Sequence, residues 1–126
     1  MVISLREGNE GLFYLVTAQK NTTDTYQNWN ADELRGGQWG YIYNMGNPIG
    51  VMDVMYAAGV EGTKVTRYSK NGGNNQQWKY ENGYIISRIN GMVLQIEDGN
   101  TQAGAFIVIG EKNGKDHQKW SHPRLG

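Results

Sequence analysis

The chain has 126 residues, which is enough for one domain with a single hydrophobic core. Its twelve basic and twelve acidic side chains cancel and are scattered singly, which argues against a basic surface for nucleic acid. Cysteine is absent, so disulfides, thiolate nucleophiles and cysteine-based metal sites are excluded.

Short strands separated by turns are predicted from the N-terminus onward. Eighteen glycines and eight tyrosines stand among short Val, Ile and Thr runs, and no long window keeps a helical apolar period. The fold class is therefore all-β. Residues 1–10 contain no signal-peptide core, and the longest apolar stretch, near Ala105 to Ile109, is too short to enter a membrane. We expect a soluble chain without membrane insertion, whose compartment stays unknown: secretion and membership of a larger protein are both compatible with it.

One segment departs from the pattern of short strands. Asn30 to Trp39 combines helix-compatible residues with the pair Gly36-Gly37, and we predict a surface insertion there. Tight turns are predicted further along, because Asn-Gly pairs supply the positive φ angles that hairpins need. These pairs are Asn71-Gly72, Asn82-Gly83, Asn90-Gly91 and Asn113-Gly114.

The chain contains an internal repeat. Residues 83–86 echo residues 40–43, and the similarity continues with a period of about 42 residues. This divides the single domain, 1–126, into three repeats at approximately 1–39, 40–82 and 83–126. Each repeat ends near one tripeptide of the same form: Gln27-Asn28-Trp29, Gln76-Gln77-Trp78 and Gln118-Lys119-Trp120. We predict that the tryptophans fill the core and that the glutamines bind backbone groups of their own loops.

These three tripeptides resemble the Gln-x-Trp motifs of ricin-B-type lectins and related carbohydrate-binding modules, and the resemblance covers nearly the whole chain. It implies a β-trefoil that binds sugar without catalysis. No Gly-Tyr-Ile strand precedes Met1, so the first repeat is expected to be shortened or incomplete. An alternative register makes Val2 to Arg6 its first strand and Leu12 to Thr17 its second, at the expense of a later one. An open edge would favour a homodimer or a tandem partner domain.

The middle repeat carries the residues of a sugar pocket. A neutral sugar needs a carboxylate for its hydroxyls, an aromatic ring for its apolar face, and amides for its other oxygens. In the resembling lectins these are an Asp on the second strand, a later aromatic residue, and an Asn-Gln pair overlapping Gln-x-Trp. Here the matching residues are Asp53, Tyr68, Asn75 and Gln76, with Arg67 as an additional donor.

The other repeats match this pocket less well. In the third repeat Gln95 replaces the carboxylate, Gly110 stands at the aromatic position, and His117-Gln118 replaces the Asn-Gln pair, which predicts a weaker second site. In the first repeat Ser4 and Tyr26-Gln27 leave little to bind sugar. Because a purely structural role should appear in all three copies, this asymmetry favours one functional site, in the middle repeat.

The predicted function is therefore a lectin for galactose- or N-acetylgalactosamine-containing glycans. Two alternatives stay open. One is a structural or protein-interaction trefoil within a larger toxin or lectin assembly, with Trp39 in the contact. The other is a xylan-type carbohydrate-binding module. The chain has two histidines and no nucleophile or phosphate-binding motif, so we predict no catalytic site, no metal and no cofactor.

Overall fold

The computed structural model describes residues 1–46 and 49–121, and in this part of the chain every regular element is a strand or a single 3₁₀ turn. The all-β prediction is confirmed. The strands are β1 (Val2–Glu7), β2 (Phe13–Ala18), β3 (Trp29–Asn30), β4 (Tyr43–Asn44), β5 (Gly50–Val54), β6 (Val65–Tyr68), β7 (Trp78–Glu81), β8 (Tyr84–Ser87), β9 (Val93–Ile96) and β10 (Ile107–Gly110). No helix within the described ranges has the length and apolar character needed to cross a membrane.

The strands of the described ranges pair antiparallel in two sheets. The first has the order β1-β2-β6-β5-β4-β3 and the second the order β10-β9-β8-β7. Isolated bridges join the two sheets at Val16–Phe106, Gly40–Trp78 and Lys64–Val108. The sheets therefore curl around one shared core rather than stacking as separate layers.

The three motif tryptophans occupy equivalent places in this core. Each indole Nε1 donates to a backbone carbonyl, and the three acceptors lie on strands β1, β5 and β9. The bonds are Trp29 to Ile3 at 2.9 Å, Trp78 to Met52 at 3.1 Å, and Trp120 to Leu94 at 3.0 Å. Trp29 and Trp78 are buried in the hydrophobic cluster and Trp120 packs partly buried against it, so the prediction that these residues are structural is confirmed.

The segment between β3 and β4 contributes more to the core than expected. Ala31 and Leu34 are fully buried, and Leu34 ends a 3₁₀ turn, Asp32–Leu34. Asp32, Glu33 and the residues from Arg35 to Trp39 are exposed. The prediction of a surface insertion is therefore wrong for Ala31 and Leu34, because a single turn is enough to direct these two apolar side chains inward without a helical period.

The first repeat pairs in the same way as the other two. β1 pairs antiparallel with β2 along six residue pairs, and β5 pairs with β6 and β9 with β10 in the same way along four residue pairs each. This favours the register set by Gln27-Asn28-Trp29 over the alternative one. Among the described strands, β1 lies at an edge of its sheet, whereas β5 and β9 each have two neighbours.

The predicted Asn-Gly turns adopt positive φ angles. At the turn between β7 and β8, φ is 53° at Asn82 and 87° at Gly83, and the flanking residues Glu81 and Tyr84 pair directly. Two consecutive positive φ angles are what a two-residue type I′ hairpin requires. Gly72, Gly91 and Gly114 also have positive φ angles, so the turn predictions are confirmed.

Replacing Gly83 with valine is expected to lower the free energy of unfolding by about 1–2 kcal/mol, because a β-branched residue is strained at positive φ. A Cβ at this position would lie 3.4 Å from Lys119 Cδ, an ordinary contact, so the cost comes from the backbone. Urea denaturation measures it, with Asn82→Gly as a control that leaves stability nearly unchanged. A loss as small for Gly83→Val as for the control would contradict the hairpin assignment.

Candidate functional site

An open cleft of about 490 Å³ lies beside β5 in the middle repeat. Three of the residues predicted from sequence line it, namely Asp53, Tyr68 and Asn75. The remaining lining residues are Leu12, Met55, Tyr56, Ala57, Thr66 and Asn71. The cleft therefore combines one carboxylate, two amides and two aromatic rings with an apolar floor.

Asp53 is the most constrained group in the cleft. It lies on β5 opposite Thr66, and only 6% of the residue is exposed. Its Oδ1 accepts a hydrogen bond from Asn75 Nδ2 at 3.2 Å, and its Oδ2 accepts one from Gln76 Nε2 at 2.8 Å. Asn75 Nδ2 also donates to the carbonyl of Val54 at 3.1 Å. An ionised carboxylate has about four acceptor positions, so two remain for a ligand.

Gln76 connects the carboxylate to the loop that follows β6. Its side chain is fully buried; Nε2 also donates to the carbonyl of Ser69 at 2.8 Å, and Oε1 accepts from the amide of Asn71 at 2.8 Å. The equivalent glutamines make the same pair of loop bonds: Gln118 to Glu111 and Asn113, and Gln27 to Gln19 and Asn21. The prediction that the motif glutamine satisfies its own loop is confirmed.

The electrostatic state of Asp53 reflects its burial. Loss of solvent raises the pKa of the carboxyl group above its usual value, while the hydrogen bonds from Gln76 and Asn75 act in the opposite direction. Burial is the larger effect, so the ionised form is short of stabilising partners. Additional donors from a ligand would therefore bind favourably at this carboxylate.

Tyr68 and Arg67 are adjacent on β6 but face opposite sides, since side chains alternate along a strand. Tyr68 is 51% exposed at the rim of the cleft. Arg67 is buried, with its guanidinium 4.4 Å from the ring centre of Phe13 and 5.5 Å from that of Tyr26. The prediction that Arg67 adds a donor to the pocket is wrong, because its guanidinium packs against Phe13 and Tyr26 and the residue does not line the cleft.

Tyr56 was not predicted from the sequence. It lies in the 3₁₀ turn Met55–Ala57 that follows β5, it lines the cleft, and it is 81% exposed. Its φ is 55° and that of Ala57 is 52°, which costs about 1–2 kcal/mol for each non-glycine residue. The available signal was an aromatic residue three positions after Asp53, at the place where the third repeat has Asp98.

The third repeat brings its predicted residues Gln95 and Gln118 together, as the middle repeat does Asp53 and Gln76. Gln95 Oε1 accepts from Gln118 Nε2 at 2.8 Å, as Asp53 does from Gln76. Gly110 pairs with Val93 as Tyr68 pairs with Val51. A Cβ at Gly110 would lie 2.5 Å from Gln95 Nε2, so the Gln95 side chain occupies the space beside the glycine. His117 packs near Gly99 in the turn Glu97–Gly99.

The described residues contain no group of three or more His, Asp or Glu side chains arranged to hold a metal ion. His122, the second histidine of the sequence, lies outside the described ranges. The arrangement in the middle repeat is suited to noncovalent binding of a polar ligand with an apolar face, since it combines fixed hydrogen-bond acceptors with exposed aromatic rings.

Several solved structures share this fold. The designed threefold-symmetric protein ThreeFoil has 23% sequence identity and a TM-score of 0.73, with 93% of this chain and 94% of that chain covered. An exo-β-1,3-galactanase from Clostridium thermocellum has 25% identity and a TM-score of 0.71, with 93% of this chain but 28% of that chain covered. The C-half of an earthworm R-type lectin in complex with GalNAc has 18% identity and a TM-score of 0.59, with 93% of each chain covered.

No curated protein sequence matches the chain. The family model of the ricin-type β-trefoil lectin domain, however, matches residues 7–120. Together with the threefold set of Trp and Gln contacts, this confirms the β-trefoil that the Gln-x-Trp resemblance implied. The chain belongs to the ricin-type β-trefoil lectin domain family, a family of carbohydrate-binding domains.

Proposed function

We propose that the protein is a non-enzymatic lectin with one main glycan pocket, in the middle repeat, and that it recognises galactose- or N-acetylgalactosamine-type sugars. The observation that carries this proposal is the Asp53 carboxylate, held by two amide donors at an open cleft with the exposed ring of Tyr68 at its rim. Binding would need no cofactor. The weaker second site around Gln95, His117 and Gln118 is proposed to contribute little, because Gln95 fills the space beside Gly110.

Each side chain has a distinct task in this proposal. The free acceptor positions of Asp53 take two vicinal sugar hydroxyls, and the Tyr68 ring covers the apolar face of the pyranose. The described hydrogen bonds of Asn75 use its Nδ2, which leaves Oδ1 to accept a further hydroxyl. Gln76 does not contact sugar, since it is fully buried, and it orients the carboxylate.

The choice of sugar is supported by the structural neighbours. The earthworm lectin is in complex with GalNAc, and a Polyporus squamosus lectin with 19% identity and a TM-score of 0.69 is bound to Neu5Acα2-6Galβ1-4GlcNAc. The chain covers 41% of that second lectin, so it corresponds to one part of it. We propose glycans as the partners, and a homodimer or tandem domain at the β1 edge as the route to more than one site.

Titrations with galactose, N-acetylgalactosamine, glucose and xylose, followed by nitrogen-proton NMR, test the proposal. Saturable shifts are expected around Asp53 and Asn75 for galactose-type sugars, with a dissociation constant of about 0.1–1 mM because a shallow pocket buries little surface. Tyr68→Ala should weaken binding by about tenfold or more through loss of the stacking ring. Arg67→Met, one residue away on the opposite face of β6, is the matched control and should bind as the wild type does.

A preference for xylose would redirect the proposal to a xylan-type module. An absence of shifts with every sugar at high millimolar concentration would overturn it and leave the protein-interaction alternative. The surface for that alternative is Trp39, which is 38% exposed with Lys79 and Arg88 beside its ring.

Sugar binding is expected to weaken in acid. Sugar hydroxyls donate to the ionised form of Asp53, so affinity should be constant near neutral pH and fall by up to about tenfold per pH unit below the pKa of the free protein. Because burial raises this pKa, the fall begins at a higher pH than an exposed Asp would give. Galactose titrations between about pH 7 and pH 4 measure it. An affinity that stays constant while the protein remains folded would contradict the role of Asp53.

The same raised pKa has the opposite consequence for the unliganded fold. The folded state binds the Asp53 proton more tightly than the unfolded state, so the stability contributed by this group is present at low pH and is lost as the pH rises through the folded pKa. Bound sugar would restore part of that loss.

A further inference from the structure

Tyr56 does not contribute visibly to the stability of the described part of the chain. Its side chain makes no recorded hydrogen bond, ion pair or ring contact with them, and it is 81% exposed although it lines the cleft. A tyrosine so exposed contributes little to the core. Tyr56 nevertheless lines the same cleft as Tyr68, in the middle of the turn Met55–Ala57 that follows β5.

The backbone at Tyr56 and Ala57 has positive φ angles, which are unusual for these residue types. Tyr56 and Ala57 are consecutive residues at positive φ, whereas the equivalent turn in the third repeat has Asp98 and Gly99 at 55° and 63°. Aspartate and glycine tolerate this conformation, but tyrosine and alanine are strained in it. The third repeat shows that this turn forms without an aromatic residue. In the middle repeat the strained position carries Tyr56, which lines the cleft. Strained residues of this kind cluster at functional sites.

The size of the cleft supports a ligand larger than one sugar. Its volume of about 490 Å³ falls within the range of pockets that enclose drug-sized molecules. A disaccharide contains two pyranose rings, and a single pyranose would fill only part of such a cleft. Asp53 and Tyr68 account for one pyranose, and the part of the lining formed by Met55, Tyr56 and Ala57 remains for a second.

We propose that Tyr56 forms a second subsite, in which its ring stacks on the next pyranose of the glycan, so that the cleft selects galactose-terminated disaccharides over free galactose. This inference rests on the proposed function, because Asp53 and Tyr68 hold the terminal sugar. Tyr56 is a specificity-determining residue in this scheme: it adds an apolar surface for the C–H face of the second ring and leaves recognition of the first ring unchanged.

The test compares galactose, lactose and 3-O-β-galactosyl-galactose in nitrogen-proton NMR titrations of the wild type and Tyr56→Ala. The wild type is expected to bind at least one disaccharide about tenfold more tightly than galactose, with added shifts at Met55 and Ala57. Tyr56→Ala should lose that advantage and keep the galactose affinity within about twofold. Alanine has the same positive-φ strain as tyrosine, so this variant isolates the ring and should remain folded.

Two controls separate the ring from the turn. Tyr56→Phe should retain the preference for the disaccharide, and Asp98→Ala, at the equivalent turn position of the third repeat, should change neither affinity. Equal affinity of the wild type for galactose and both disaccharides, or a preference that survives Tyr56→Ala, would overturn the second subsite while leaving the lectin proposal intact. A wild type that binds no sugar at all would overturn both.

Discussion

Replacing Trp78 with alanine is expected to lower the free energy of unfolding by about 3–5 kcal/mol, the largest effect of any single substitution considered for this protein. Trp78 is fully buried, and its indole Nε1 donates to the carbonyl of Met52 at 3.1 Å. The variant therefore leaves a large cavity and an unpaired buried carbonyl group. Since domains are stable by about 5–15 kcal/mol, a large part of the total would be lost.

Urea denaturation followed by fluorescence or circular dichroism measures this loss. Trp39→Ala is the matched control, because Trp39 is partly exposed and its cation–π contacts with Lys79 and Arg88 are each worth about 0.5–1 kcal/mol at a surface. Trp78→Phe separates the two causes: it retains most of the volume and loses the hydrogen bond, at a cost of about 1–3 kcal/mol. A loss for Trp78→Ala no larger than that for Trp39→Ala would contradict the core position of the motif tryptophan.

Replacing Gln76 with leucine is expected to reduce both stability and sugar affinity. Its side chain binds Asp53, Ser69 and Asn71 from a fully buried position. Without it, two backbone groups and a buried carboxylate oxygen each lose a partner, and we expect a loss of about 2–4 kcal/mol in the free energy of unfolding. Galactose affinity should fall about tenfold or more, because the carboxylate is no longer oriented and its pKa would rise further.

Gln118→Leu provides the matched control for this second prediction. Gln118 is also fully buried and binds Glu111 and Asn113 in the same way, but its third partner is Gln95 rather than a carboxylate. The two variants should therefore lose similar stability, while only Gln76→Leu loses sugar binding. Denaturation and galactose titrations on the same samples distinguish the two effects. Equal affinity of both variants for galactose would show that Gln76 acts on the fold alone.

The asymmetry of the repeats has a physical basis in these contacts. The glutamine and tryptophan of each motif satisfy the loop and fill the core, so they are needed in every copy. Asp53 is different, because burial raises the pKa of its carboxyl group. The ionised form therefore contributes less to stability than a neutral side chain would. The third repeat has the neutral Gln95 at this position, which makes the same hydrogen bond to its glutamine without the electrostatic cost.

The sequence by itself was sufficient for the features that depend on local chemistry and repetition. The Asn-Gly turns require positive φ, and a tryptophan repeated in each copy is placed in the core by its apolar area, so both were predicted correctly. The grouping of Asp53, Tyr68 and Asn75 at one cleft was implied by the resemblance to ricin-B-type lectins. The direction of Arg67 was available in principle from strand alternation, since its neighbour Tyr68 was already assigned to the pocket.

Other features were decided only by the tertiary structure. Leu34 is buried because the 3₁₀ turn Asp32–Leu34 directs it inward, and no periodicity in the segment reveals that direction. Gln95 occupies the space beside Gly110 because the glycine, on the neighbouring strand β10, has no side chain. Tyr56 reaches the cleft because the folded domain holds its backbone at positive φ. Each outcome depends on which side chains the fold brings into contact. Composition, turn chemistry and repeat spacing, in contrast, can be read directly from the sequence.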